Sequence, residues 1–208
     1  MLNKRSVAML LSRVPGFPKP KPRLEQYVTD SEVAAELVTR MSLLGLRRRV
    51  VADFGCGTGM LAYALALLNL ASYIACIEID PLAVRIARDF MRREGYDVLV
   101  DFVVSDALKP PLRSVNLVVM NPPFGIRSRR GLDIDFLKAG LSVADVIVSI
   151  HAWSDGLIGA VESKTGCKPV VLFEAWQRIP QFLEEHRRRI HRTRVVAILV
   201  SRERCRGF

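Results

Sequence analysis

Paired cysteines, long apolar runs and amide side chains are what this sequence has least of. Cys56, Cys76, Cys167 and Cys205 stand far apart with no C-x-x-C pair, so the spacing indicates neither a zinc site nor a disulfide framework. No apolar stretch has the length of a membrane span, and Val7 to Leu11 is too short for a secretion signal, so a cytoplasmic location is expected. Asn and Gln are sparse, which suits a heat-adapted source. No segment repeats. At 208 residues there is room for one sizeable core and not for two comfortable domains.

Positive charge is abundant. Lysine and arginine number 31 against 21 acidic residues, a net of +10. The excess gathers at the end of the chain: from Arg178 onward nine arginines face only Glu184, Glu185 and Glu203, a net of +6. A charge concentrated in this way marks a surface for phosphates, the plain alternative being a solvated basic face.

Pro15-Gly16-Phe17-Pro18-Lys19-Pro20-Lys21-Pro22 predicts an extended arm. It divides an N-terminal segment, 1–23, from a single domain at 24–208. Thr29-Asp30-Ser31-Glu32 reads as a helix start with Thr29 as cap, the helix running to about Leu44 and ending at Gly45. From there apolar runs alternate with helical spacing. Strands are expected over Val50–Phe54, Tyr73–Ile79, Val98–Val104, Leu117–Met120, Val146–Ile150, Val170–Phe173 and Val195–Val200. Helices are expected over Met60–Leu68 and from Pro81, with Leu82, Ile86 and Phe90 at helical spacing. Such alternation implies a mostly parallel α/β sheet covered on both faces. Ligands then bind beyond the carboxyl ends of its strands.

Three loops at those ends carry cofactor chemistry. Asp53-Phe54-Gly55-Cys56-Gly57-Thr58-Gly59 places three glycines in five residues, which lets backbone approach a ligand closely; taken singly it would also serve a dinucleotide. The second strand ends in Glu78, a carboxylate able to accept bonds from both hydroxyls of a ribose. Ser105-Asp106-Ala107 ends the third; Asp106 could accept a bond from an adenine amine or serve as a turn residue. Asn121-Pro122-Pro123-Phe124-Gly125 follows the fourth strand. A planar amine conjugated to a ring is a poor nucleophile because its lone pair is delocalised. Acceptors set against its N–H bonds draw the nitrogen toward tetrahedral geometry and stabilise the charge that develops on it. Asn121 supplies a side-chain carbonyl and Pro122 a backbone carbonyl, held in direction by Pro123, while Phe124 can stack on a base. This chemistry needs no histidine, so His151 and His186 read as ordinary loop residues.

Together these loops resemble the amino-methyltransferases with an Asn-Pro-Pro-aromatic signature. Leu24-Glu25-Gln26-Tyr27-Val28-Thr29, the loop from Asn121, Gly131-x-Asp133-x-x-Phe136-Leu137 and the basic terminal hairpin narrow the match. They resemble the methyltransferase-like family that methylates adenine-N6 in small-subunit ribosomal RNA. The resemblance covers about Leu24 to Val200, the N-terminal arm lying outside it. It implies a Rossmann-like class I methyltransferase fold, seven-stranded and mostly parallel with an antiparallel last strand. Its cofactor would be S-adenosyl-L-methionine, held by Gln26, Thr29, Gly55, Thr58, Met60, Glu78, Asp106, Ala107 and Asn121, with Asp53, Gly57 and Gly59 in the same loops. Thr29 could equally be only the helix cap, and Met60 only helix core. A small zinc-binding activator protein is the partner the family implies.

Arg187, Arg188, Arg189, Arg192 and Arg194, with Arg127, Arg129 and Arg130 past the catalytic loop, are candidate RNA-backbone contacts. Competing readings are a methyltransferase acting on a glutamine amide of a protein, on a guanine amine or on DNA adenine; a non-catalytic RNA-binding or assembly protein of the same fold; and a nucleotide-linked dehydrogenase. Tyrosine is usual at the Phe124 position in the glutamine enzymes. The dehydrogenase leaves the Asn-Pro-Pro-Phe loop without a purpose.

Overall fold

The computed structural model describes residues 2–125, 127–179 and 191–205. Two helices, α1 (Lys4–Leu11) and α2 (Ser31–Leu43), precede an alternation of β1 (Arg48–Phe54), α3 (Met60–Leu67), β2 (Ala71–Glu78), α4 (Pro81–Arg93) and β3 (Val100–Val104). The chain continues through β4 (Leu117–Met120), α5 (Leu132–Val143), β5 (Val146–Ala152) and α6 (Leu157–Thr165) to β6 (Val170–Ile179) and β7 (His191–Ser201). The strands form one sheet in the order β3-β2-β1-β4-β5-β7-β6. The first five are parallel; β7 is antiparallel to both β5 and β6. This is the seven-stranded class I methyltransferase architecture.

Sequence dictates which helix is buried where. α3 is apolar all round, and its residues Met60 to Ala66 are buried in the core shared with α1, α2 and one sheet face. α4 buries Ala83, Val84, Ala87, Phe90 and Met91 and turns its arginines outward; Asp80 caps it and Pro81 opens it. α5 and α6 cover the other face through Ile134, Phe136, Leu137, Leu157 and Val161. The two apolar runs at the end of the chain are longer as strands than their apolar residues alone predict. Antiparallel pairing from Val170 to Ile179 against Leu199 to His191 carries them into polar sequence. The expected strand at Val98 begins only at Val100, because Asp97–Leu99 makes a tight 3₁₀ turn.

The segment before residue 24 is packed against the rest of the domain. Asn3 Oδ1 accepts a bond from Ser6 N at 2.9 Å and caps α1, whose Val7, Ala8 and Leu11 are buried in the core shared with α2. Leu11→Ala is therefore expected to destabilise the protein by about 2–5 kcal/mol in chemical denaturation; a loss under about 0.5 kcal/mol, typical of a surface site, would show that the helix is only an appendage. A second departure concerns the cysteines. Cys167 and Cys205, 38 residues apart, form a disulfide. Sequence spacing carried no trace of it, since the antiparallel approach of the loop before β6 to the segment after β7 is what unites them.

The chain crosses from one side of the sheet to the other between β3 and β4, so β1 and β4 lie side by side, with Asp53 opposite Val119 and Phe54 opposite Met120. Their carboxyl ends open at the switch point where the strand order reverses, where such folds bind ligands.

Candidate active site

A cleft of about 1100 Å³, including its open mouth, lies at that switch point. It gathers Gln26, Thr29, Asp53, Gly55, Gly57, Thr58, Met60, Glu78, Asp106, Ala107, Asn121 and Pro123 from five separate segments. Gly59, Pro122 and Phe124 are not among its walls. Gly59 opens α3 with φ +96°, and a Cβ there would stand 3.4 Å from the Ala87 Cβ, so this glycine permits close packing of α3 on α4 rather than ligand contact. The Phe124 ring lies against Tyr27, ring centres 5.6 Å apart.

The Gly-rich loop is tied to the acidic strand end. Gly57 N donates to Glu78 Oε2 at 2.9 Å, and Asp80 N donates to Glu78 Oε1 at 2.9 Å. At Gly57, φ +55° favours glycine, and a Cβ there would stand 2.9 Å from the tip of the Phe17 ring, which would have to move aside. Phe17 thus brings the proline-rich arm to the cleft wall. Lys21 secures the arm by its ion pair with Asp80 at 2.9 Å, and its backbone N donates to Gln26 Oε1 at 2.8 Å. Gln26 Nε2 donates to Asp80 Oδ2 at 2.7 Å. Both ends of the Gln26 amide therefore have protein partners, and the residue shapes the wall while joining arm to helix cap.

The helix start at residue 29 is corrected. Asp30, not Thr29, caps α2, its Oδ1 accepting from Glu32 N at 3.0 Å. That leaves Thr29 Oγ1 to accept from Asn121 Nδ2 at 2.8 Å. The amide is thereby oriented, and Asn121 Oδ1 is buried with no hydrogen-bond partner among the described residues. Tyr27 Oη and Thr58 Oγ1, on the same walls, are likewise buried and unpartnered. Unsatisfied buried polar atoms are costly, and three of them on one cleft mark a place where a polar ligand belongs.

Glu25, which no sequence signal assigned a role, holds the segment from Phe124 to Ser128. It is 7% exposed with φ +48°, and its Oε2 accepts from Phe124 N at 2.7 Å. Oε1 accepts from Arg127 N (2.7 Å), Ser128 N (2.8 Å) and Ser128 Oγ (2.7 Å). Burial by itself raises the carboxyl's pKa, but the four bonds outweigh it and hold the group below its usual value.

Asp53 sits 1% exposed beneath the cleft, Oδ2 accepting from Ala62 N at 3.0 Å. Burial pushes it up to about 8, helped by the Glu78 carboxylate and opposed by the Ala62 bond. An unfolded aspartate ionises near 3.8, so between that pH and about 8 the folded chain retains a proton the unfolded chain has lost. Stability is then greatest below the lower value and declines as pH rises toward the upper. The melting temperature of the ligand-free protein is expected to fall across that window, and Asp53→Asn to flatten the fall; an unchanged slope in the variant would assign it to another group.

Asp106 Oδ1 accepts from Leu108 N at 2.9 Å, a turn bond, while the residue also faces the cleft. His151 is no loop residue: it lies in β5, fully buried, with Nδ1 3.0 Å from Asp133 Oδ2 in the first turn of α5, and it tethers that helix. Arg127 and Arg130 are exposed, whereas Arg129 is paired with Asp135. Arg192 is exposed, and Arg194 pairs with Glu174 while its guanidinium lies 4.6 Å over the Trp153 ring. His186, Arg187, Arg188 and Arg189 lie outside the described residues.

A Gly-rich loop, an acidic strand end and an Asn-Pro-Pro loop converging at the switch point of this sheet define a class I methyltransferase. Residues 31–139 match the methyltransferase small domain. The chain is 35% identical over 163 residues to the rRNA N(6)-adenosine-methyltransferase Mettl5 of Drosophila melanogaster, covering 74% of each chain. It is 30% identical over 148 residues to the rRNA N(6)-adenosine-methyltransferase metl-5 of Caenorhabditis elegans, covering 69% of each. The crystal structure of a provisionally assigned RNA methyltransferase, PH1948 of Pyrococcus horikoshii, superposes with a TM-score of 0.86 at 32% identity over 97% of this chain and 98% of that one. The chain belongs to this family of RNA methyltransferases. S-adenosylmethionine is the methyl donor such enzymes use, and the cleft fits it: a tight glycine turn, acidic groups at Glu78 and Asp106, and an unpartnered hydroxyl at Thr58 suit a ribose, an adenine and a charged amino-acid end. Among the described residues no helix is long and apolar enough to cross a membrane.

Proposed function

We propose that this chain methylates the exocyclic N6 of an adenine in RNA, with small-subunit ribosomal RNA as substrate and the cytoplasm as its place of work. One observation carries the reading: Asn121 offers a buried, unpartnered Oδ1 while its Nδ2 is committed to Thr29. An amide held this way presents an acceptor and nothing else, as a flat NH2 group requires. Asn121 Oδ1, on the cleft wall, accepts from one N–H of the adenine amine, and the carbonyl of Pro122, outside the walls of the ligand-free cleft, is the acceptor assigned to the other once the base is seated. As the nitrogen lone pair leaves conjugation, both acceptors stabilise the positive charge appearing there. S-adenosylmethionine, when bound, would supply an electrophilic methyl carbon, its sulfur keeping the electron pair of the broken S–C bond as a neutral thioether. The proton then leaves to water, since an N-methylated ammonium of this kind is strongly acidic, and no base in the chain is needed.

The small zinc-binding activator belongs to the same proposal. β3 is an edge strand, and Val104 on it and Tyr73 on the adjoining β2 are 53% and 37% exposed. An open edge with apolar residues beside it suits a partner that adds a strand.

The test is transfer of radiolabel from S-adenosylmethionine to small ribosomal subunits, with and without activator, followed by digestion to nucleosides. Label in N6-methyladenosine is expected. Label that resists ribonuclease but is released by protease would move the acceptor to a protein.

A further inference from the structure

The β6–β7 pair carries a surface that the methyl-transfer chemistry does not use. In its register Trp176 lies opposite Arg194, and Arg178 lies opposite Arg192. Directly opposed residues of an antiparallel pair project from the same face, so these four side chains form one patch, and all are exposed. Trp176 is 63% exposed. Two arginines set opposite each other repel, and among the described residues no carboxylate pairs with either. The nearby Glu174 is already bonded to Arg194. An anion between the guanidinium groups would relieve that repulsion, and an indole left open beside it offers a flat π surface. Phosphate and base together answer both.

The location suits a substrate strand. Met120 pairs with Ser149, and Ala152 pairs with Val195, so the catalytic loop and the His191 end of β7 emerge at one end of the sheet. β6 lies three strand positions from β4, about 14 Å at the usual interstrand spacing. The patch is too far from Asn121 to hold the target adenine and is placed for a nucleotide further along the same strand.

We propose that Trp176, Arg178 and Arg192 dock single-stranded RNA flanking the methylated adenine, the indole stacking on a base and the two guanidinium groups bridging its phosphate. This deepens the RNA reading above and rests on it. A duplex would not serve, because its bases present no open face to stack on.

The chain has two tryptophans, Trp153 and Trp176. In W153F the fluorescence of Trp176 stands by itself. Titration with a short single-stranded RNA oligonucleotide containing one adenine should quench that emission along the binding curve read by anisotropy. The same sequence as a duplex, and inorganic polyphosphate, should bind without quenching. W176A should weaken single-strand affinity about tenfold. Replacing Arg178 and Arg192 by Ala should lower the slope of log affinity against log salt by about 0.7 for each charge removed. Binding without quenching, full affinity in W176A, an unchanged salt slope, or no RNA binding at all would each overturn the proposal. The two readings fail separately: label on an atom other than adenine N6 with quenching intact rejects only the acceptor, and N6 label without quenching rejects only the patch.

Discussion

Asn121→Ala is expected to bind S-adenosylmethionine with near-normal affinity and to turn over about a hundredfold or more slowly. The cleft has many other walls for the cofactor, from Gly55 to Ala107, but in the proposed mechanism the side chain supplies one of the two acceptors that act only as charge grows on the amine. Loss of such a group lowers kcat by about 10² to 10³. Thr29→Val sharpens the test. It removes the acceptor for Asn121 Nδ2 at 2.8 Å while keeping the shape of the side chain, so the amide can turn its NH2 toward the substrate. Turnover should fall here too, by less than in the alanine variant. Calorimetric titration with the cofactor and single-turnover methylation measure the two quantities separately. Wild-type turnover in Asn121→Ala would end the assignment.

Glu25→Gln is expected to lower kcat by about tenfold to a hundredfold, the scale of a reacting group displaced by about 1 Å. Glu25 bonds only to the segment from Phe124 to Ser128, so its effect on the proposed chemistry is that of a positioning residue. Its Oε2 accepts from Phe124 N and its Oε1 from Arg127 N, Ser128 N and Ser128 Oγ, so both oxygens must be acceptors. An amide of the same shape sets an NH2 against a backbone N–H on one side and frees one end of the loop. Cofactor affinity should stay unchanged, while the loss appears in kcat rather than KM. A pH profile separates this role from a merely structural one. Because the folded carboxyl ionises below its usual value, the clamp is complete above the unfolded pKa of about 4.5 and is lost as pH falls through the lower folded value. The wild type should therefore show an acid limb in kcat that the glutamine variant lacks. A variant with the full rate of the parent would show the loop to be self-supporting.

The sheet was largely legible because its signals are local. Leu117–Met120 was bounded correctly by apolar residues between polar ones, and Pro81 marked the start of α4. α1 went unread since its amphipathic stretch is only eight residues long and gains its stability from α2. Thr29 and Asp30 compete for the start of α2 because Thr and Asp are both good caps, and sequence does not say which of two neighbours turns inward. Glu25 was invisible as an anchor because its bonds reach across 99 to 103 residues to a loop that is itself irregular. The Cys167–Cys205 bridge and the extension of β5 through His151 likewise depend on partners remote in sequence, the latter on pairing with Val196.

Sequence by itself determined the alternation of elements, the glycines at the first turn, the acidic strand end and the Asn-Pro-Pro-Phe loop, since each follows from short-range sterics and patterning within a few residues. Tertiary structure decided which atoms of that loop can act. Only the crossing from β3 to β4 brings Asn121 to Thr29 and Phe124 to Glu25, and a hydrogen bond spanning some ninety residues leaves no period or spacing in the chain from which it could be read.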